Sequence, residues 1–415
     1  MSKVPVGWEK KLLKDILKVG VKNGYSPNAV DYETGHWVLS LAALGDDGIN
    51  TNGIKPVLPT DNVLNSQLIP GDFLVSRSNT PDKVGRSIKF RGEVKNCSYP
   101  DLMMKFRVDT NLAIENFIEQ ALKGSVVRQY YKSCAAGSSS SMVKINKSIV
   151  EKTPLLIPPL PEQTKIAQIL STWDKAISTT EQLIGNSQQQ KKALMQSLLT
   201  GKTRLPGFEG ELINSTLENA CYINPKKASR PEDGLVSFIS MESVSEDAKL
   251  IRAEVRNYDD VEKGFTSFSD NDVLVAKITP CFENGKGAYL DELKNGVGFG
   301  STEFHVLRAK KNTYSKFVYY VTNTDEFRVR GEANMQGSAG QKRVTTDYLK
   351  QFPLKLPPLP EQQKIAAVLT AADNEIELLQ NKLAFLKQEK NALMQQLLTG
   401  KRRVKINATE ECMDA

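Results

Sequence analysis

Two stretches of this 415-residue chain are nearly the same, and that duplication limits the folds open to it more than any other feature. Pro154-Leu-Leu-Ile-Pro-Pro-Leu-Pro-Glu-Gln163 returns as Pro353-Leu-Lys-Leu-Pro-Pro-Leu-Pro-Glu-Gln362, and Ala193-Leu-Met-Gln-Ser-Leu-Leu-Thr-Gly-Lys202 returns as Ala392-Leu-Met-Gln-Gln-Leu-Leu-Thr-Gly-Lys401. Both pairs are offset by 199, and 26 of the 51 positions from 154 to 204 are identical to their counterparts in 353 to 403, without a gap. The segments between echo each other more faintly at an offset of 200. Gly7-Trp8-Glu9 matches Gly207-Phe208-Glu209, Leu12 and Leu17 match Leu212 and Leu217, and Asp72-Phe-Leu-Val75 matches Asp272-Val-Leu-Val275; Gly85 matches Gly285, and Arg128 matches Arg328. One plan is used twice. It divides the chain into a first domain over 1–153, a near-copied segment over 154–204, a second domain over 205–352, the second copied segment over 353–403, and a tail over 404–415.

The copied segment reads as a long helix with one apolar seam. From Ile166 the steps alternate four and three through Leu170, Trp173, Ile177, Thr180, Ile184, Ser187, Lys191, Leu194 and Leu198, which is the spacing of a coiled-coil seam. The second copy gives Ile365, Leu369, Ala372, Ile376, Leu379, Leu383, Leu386, Lys390, Leu393 and Leu397. Pro161 and Pro360 suit the first helical position, Glu162 and Glu361 suit the positive end of the helix dipole, and Gly201 and Gly400 suit a left-handed stop. Each helix should run about 38 residues, roughly 57 Å. Such a helix needs a partner for its seam. Two matching seams on one chain, with about 150 residues between them, favour an internal antiparallel pair over dimerisation with other molecules. Thr180, Ser187 and Lys191 would then set register at some cost in stability. The prolines before each helix read as rigid entries fixing the angle between domain and helix.

The two domains read as mixed α/β (α+β). Strand-like runs are Phe73–Ser76, Leu102–Val108, Asp272–Ala276 and Glu303–Arg308, helical patches are Ile114–Leu122 and Lys316–Thr324, and turn chemistry lies between. The motifs of an enzyme are missing. There is no GxxxxGK[ST], HExxH or GxSxG, and no acidic nuclease arrangement. Gly296-Val-Gly-Phe-Gly300 imitates a nucleotide loop but leads into a strand-like run, and Asn224-Pro225-Lys226 lacks the second proline and the aromatic of an amino-methyltransferase pocket. His36 and His305 are the two histidines and read as structural. Five cysteines (Cys97, Cys134, Cys221, Cys281 and Cys412), without a CxxC spacing, read as free thiols. No apolar run reaches the length of a membrane span, and the expectation is a cytoplasmic protein.

Charge separates the domains. The net +7 divides into +6 for 1–153, +3 for 154–204, −3 for 205–352 and +1 for 353–415. None of these matches a histone-like binder, so any nucleic-acid contact comes from local patches or is shared with a partner. Two related but divergent domains held by helices of this length suit two half-sites of a duplex about one turn, 34 to 36 Å, apart. Because the domains differ, the half-sites would differ too.

The twice-used PPLPEQ entry, the LLTGK exit and the Gly-Trp-Glu and Gly-Phe-Glu openings resemble the specificity (S) subunits of type I restriction–modification systems over Gly7 to about Arg403. The resemblance implies two target recognition domains, each reading half of a bipartite, asymmetric DNA target. It also implies an antiparallel coiled coil that sets the spacer and docks two methyltransferase subunits. The chain would have no active site and bind no cofactor or metal itself. S-adenosylmethionine would serve adenine methylation in the methyltransferase, and ATP and Mg would serve the restriction/translocase subunits. Which residues touch DNA does not carry over by motif. Basic and polar residues in turns or Gly/Ser-rich contexts are the candidates: Arg77, Lys83, Arg86, Arg128, Ser138, Ser139 and Ser140 in the first domain, and Lys277, Lys286, Arg328, Arg330, Ser338, Gln341, Lys342 and Arg343 in the second. The recurring pairs Arg77/Lys277 and Arg128/Arg328 stand out among them.

Overall fold

The computed structural model describes residues 4–45, 48–139, 142–338 and 340–406. Candidate Ser140 and the tail from 407 onward lie outside the described residues. The chain forms two compact units, and each takes half of each long helix: Met1–Gln182 with Asn381–Ala415, and Leu183–Gln380. The sequence division had kept each long helix whole, as a segment of its own.

Each domain is built around one antiparallel sheet of four strands. In the first unit the order is Leu17–Asn23, Met103–Val108, Phe73–Ser76, Ser87–Lys89; in the second it is Cys221–Ile223, Phe304–Ala309, Asp272–Ala276, Gly287–Tyr289. Phe73–Ser76 and Asp272–Ala276 are buried along their whole length, which explains the apolar runs Phe73–Val75 and Val273–Ala276 within them. Each divides two cores. Phe73 and Val75 face one cluster while Leu74 faces another, and Val273 and Val275 are divided from Leu274 in the same way.

A second, mixed sheet completes each domain, with three strands in the first and four in the second. In the first unit Trp37–Leu39 pairs with Ile54–Pro56 and, in parallel, with Cys97–Ser98. In the second, Leu235–Ile239 pairs with Glu254–Asn257 and, in parallel, with Val297–Gly300, on which Thr266–Ser269 adds a further strand. The glycine-rich run that imitates a nucleotide loop therefore belongs to this sheet. A Cβ at Gly300 would stand 2.1 Å from the Ile239 carbonyl oxygen, so close strand packing is what requires glycine there.

The long helices are Leu160–Leu198 and Leu359–Leu397, 39 residues each. Every seam position from Ile166 to Leu198 and from Ile365 to Leu397 is buried or half-buried. In the first unit Ile166, Ala167 and Leu170 share a core with Met394 and Leu397; in the second Ile365, Ala366 and Leu369 share one with Met195 and Leu198. Within each unit, therefore, the start of one helix lies beside the end of the other. Gly201 and Gly400 close the helices at φ +69° and +67°.

The seam lysines find acids. Lys390 bonds Asp174, whose other oxygen accepts from Gln120 Nε2 at 2.6 Å. In the second unit Lys191 Nζ lies 2.5 Å from Asp373, whose other oxygen accepts from the Tyr320 hydroxyl at 2.8 Å. Asp174/Asp373 and Lys191/Lys390 are equivalent positions, so the same ion pair is made once in each unit.

The repeated Pro-Glu-Gln is a latch. Glu162 accepts from Trp8 Nε1 at 2.5 Å and from Arg403 at 2.5 and 2.6 Å, whereas Glu361 takes both arms of Arg204. Both carboxylates are buried, so they anchor the residues that follow a helix end as well as facing the helix dipole. Gln163 accepts the Ile114 amide proton at 2.7 Å and donates to Pro158 O at 2.8 Å. Gln362 does the same with Tyr314 N (2.9 Å) and Pro357 O (2.8 Å).

One alignment is corrected. Glu9–Leu12 pairs with Ile157 back to Pro154, and Ile213–Thr216 pairs with Leu356 back to Pro353. Leu217 is therefore the counterpart of Leu13, since Leu13 N donates to Thr153 O and Leu217 N to Phe352 O, both at 2.9 Å. The matches Leu12/Leu212 and Leu17/Leu217 fail because four extra residues lie between Phe208 and Ile213.

Candidate nucleic-acid interface

In both domains the buried central strand ends in a polar loop, and a short hairpin is stitched to that loop. In the first, the hairpin Ala136–Ser139/Met142–Lys144 pairs with Ser78–Asn79, and Ile145 N donates to Arg77 O at 2.9 Å. In the second, the hairpin Met335–Gln336/Arg343–Val344 bridges Ile278 through Arg343, Val344 N donates to Lys277 O, and Thr279 N donates to Lys342 O, both at 2.9 Å. Between the strands of the second hairpin, Gly337 and Gly340 take positive φ, and Ser338, Gln341 and Lys342 are exposed.

The candidate residues divide into two groups. Brought together at this loop and hairpin are Arg77 and the strand of Ser138 and Ser139 in the first domain, and Lys277, Ser338, Gln341, Lys342 and Arg343 in the second. Ser338, Gln341 and Lys342 are exposed, as is Lys83 in the turn after Asn79. Of the remaining candidates, all but Arg330 hydrogen-bond backbone carbonyls of the loop or of the turn beside it. Arg128 donates to Val84 O (2.6 Å) and Asp82 O (2.7 Å). Arg328 donates to Phe282 O and Gly285 O, both at 3.2 Å, and lies over the Phe282 ring, where burial lowers its pKa to about 10. This common task accounts for the recurrence of arginine at 128 and 328. Arg86 donates to Leu44 O at 3.0 Å and Lys286 to Met241 O at 3.2 Å, tying the loop to the turn that follows the first strand of the mixed sheet. Arg330 pairs with Glu326 one helical turn away, at 3.3 Å.

Electrostatics differ between the two sites. Arg343 grips Glu303 with Nε at 3.0 Å and Nη2 at 2.8 Å, and the guanidinium holds the Glu303 carboxyl below its usual range. Lys277 donates to Thr302 O at 2.8 Å beside them, and burial depresses its pKa. In the first domain Arg77 N donates to Leu102 O at 2.8 Å where Lys277 N donates to Glu303 O at 2.7 Å, so an apolar residue stands in the place of the acid. Sequence reasoning missed Glu303 because an acid is not sought on a surface expected to meet phosphates.

His305 supports the second site. Asn224 Oδ1 accepts from Val306 N at 3.0 Å, which turns Asn224 Nδ2 toward His305 Nδ1 at 3.2 Å; Nε2 then carries the proton and donates to Val344 O at 3.0 Å. Burial lowers the pKa of His305 to about 4. Among the described residues no group of three or more His, Cys, Asp or Glu is placed to hold a metal ion, and no helix is long and apolar enough to cross a membrane. Cys97, Cys134, Cys221 and Cys281 are free thiols.

Comparison with known proteins gives a consistent result. A family model described as the type I restriction modification DNA specificity domain matches twice, at residues 5–186 and 210–388. The Escherichia coli EcoAI specificity subunit is 40% identical over 153 residues, 36% of this chain but only 26% of that protein; the EcoEI subunit is 34% identical over 196 residues, 43% of this chain and 33% of that protein. The MjaVIII specificity subunit of Methanocaldococcus jannaschii is 22% identical over 97% of this chain and 95% of its own length. Among solved structures, the type I restriction–modification S subunit of M. genitalium has the same fold, with a TM-score of 0.58 at 12% identity over 98% of this chain and 99% of that one.

Proposed function

Because this chain belongs to the type I restriction–modification DNA specificity family, we infer that it selects the DNA sequence on which a type I methyltransferase and restriction assembly acts. Each domain reads one half of a bipartite, asymmetric target. The observation that carries this reading is the loop-and-hairpin site, built by the same hydrogen bonds in both domains but furnished with different side chains. Common scaffolding with different reading groups is what two unlike half-sites require.

The two long helices form an antiparallel coiled coil that sets the spacer and docks two methyltransferase subunits. The reciprocal ion pairs Asp174–Lys390 and Asp373–Lys191 support the register. Identity that burial does not explain supports the docking: Gln189, Ala193 and Gln196 are exposed and equal to exposed Gln388, Ala392 and Gln395, on one helix face. The chain itself is non-catalytic. S-adenosylmethionine serves the methyltransferase, which modifies adenine, and ATP and Mg serve the restriction subunits, all in the cytoplasm.

Co-expression with the cognate methyltransferase subunit, followed by genome-wide mapping of N6-methyladenine, tests the reading. One split motif with a fixed spacer is expected. Absent methylation, or methylation without a motif, would overturn it.

A further inference from the structure

A guanidinium presents five N–H donors. In Arg343 the Nε–H and one Nη2–H go to Glu303, and one Nη1–H goes to Gln341 O at 3.3 Å. Two donors, one on each Nη, have no acceptor among the described residues, and the side chain is 47% exposed. The hairpin bridge to Ile278 and the carboxylate grip together hold the plane of this group, so little rotamer freedom remains to be lost on binding.

The charge beside it decides what those donors suit. A phosphate approaching Arg343 also approaches the Glu303 carboxylate, and the domain as a whole carries −3. Repulsion from the acid offsets attraction to Arg343, so a phosphate is better met by the exposed Lys342 next to it. A neutral base edge meets no such opposition, and paired acceptors on one base match the spacing of two guanidinium hydrogens. In the major groove that edge is guanine O6 and N7. We propose that Arg343, oriented by Glu303, reads a guanine in the half-site of the second domain. The first domain has no such pair: Lys144 stands opposite Ser78 where Arg343 bridges Ile278, and Leu102 replaces Glu303. Lys144 lacks the planar fork of a guanidinium, so this position cannot read a base in the same way in the two half-sites.

The inference rests on the DNA-specificity reading and fails separately from it. The full chain, assembled with its cognate methyltransferase, is used to select from a random-sequence duplex library, and the bound fraction is sequenced. Wild type is expected to enrich a split motif with an invariant guanine in one half. Arg343→Gln relaxes that position alone, by about 5- to 150-fold, leaving the other half intact. Arg343→Lys keeps the charge but not the planar fork, and relaxes the same position. Glu303→Gln lowers preference there and raises binding to mismatched duplexes, because the acid no longer opposes phosphate. Unchanged base preference in the Arg343 variants overturns the proposal, as does a uniform loss across all sequences, which would mean a phosphate contact. A wild-type chain that enriches no motif overturns the specificity reading itself, and this inference with it.

Discussion

His305 makes the stability of the second domain dependent on pH. Its neutral ring is bonded at both nitrogens, to Asn224 and to Val344 of the hairpin, and its pKa is lowered from 6.5 to about 4. The unfolded chain therefore binds a proton that the folded one refuses. Stability from this group is complete above about pH 6.5 and is lost as pH falls toward 4, by up to about 3 kcal/mol. Denaturant unfolding at pH 7 and pH 4.5 should show this dependence in wild type and a reduced one in His305→Asn; equal slopes would assign it to other groups. Arg128 and Arg328 each hold the loop backbone through hydrogen bonds to two carbonyls. Arg128→Met should therefore weaken discrimination in the first half-site at several positions together, as read by selection from random duplexes, and a change confined to one base would contradict a bracing role.

The elements differ in how far their sequences explain them. The long helices were legible because a single periodicity runs through 39 residues and every seam position obeys it. The role of Glu162 and Glu361 was not, because their arginine partners lie 241 and 157 residues away. The seam lysines resemble defects in the heptad until Asp174 and Asp373 are placed beside them. Lys390→Leu leaves Asp174 without its cation, so thermal unfolding should occur at lower temperature than in wild type, whereas the double variant Asp174→Asn, Lys390→Leu should recover part of the loss. Leu170→Ala removes a fully buried seam side chain and should cost about 2–5 kcal/mol, measured by urea unfolding. An arginine at Ala193 or Ala392, which are exposed, should leave folding unchanged and remove one methyltransferase copy per substitution. Mass measurement of the assembly reads this directly, and retention of both copies in the double variant would place docking elsewhere.

The whole chain behaves as two units because each domain closes its core with the start of its own helix and the end of the other. A domain exchange should respect this. Replacing 1–153 with another recognition domain is expected to change one half of the methylated motif only, provided the latch residues Trp8 and Ile114 are matched to Glu162 and Gln163. Salt should also distinguish the readers. With the first domain at +6 and the second at −3, a duplex retaining only the first half-site should lose affinity more steeply between 50 and 200 mM salt than one retaining only the second. The duplication, the two helices and the paired domains follow from local periodicity and from comparing the chain with itself, both of which are properties of order along the chain. The latch, the bracing arginines and the Arg343–Glu303 pair depend on residues dozens to hundreds of positions apart being folded into contact. Only the tertiary structure decides them, because a charged group's role is set by the partner and the burial it finds, and neither is encoded in its neighbours in sequence.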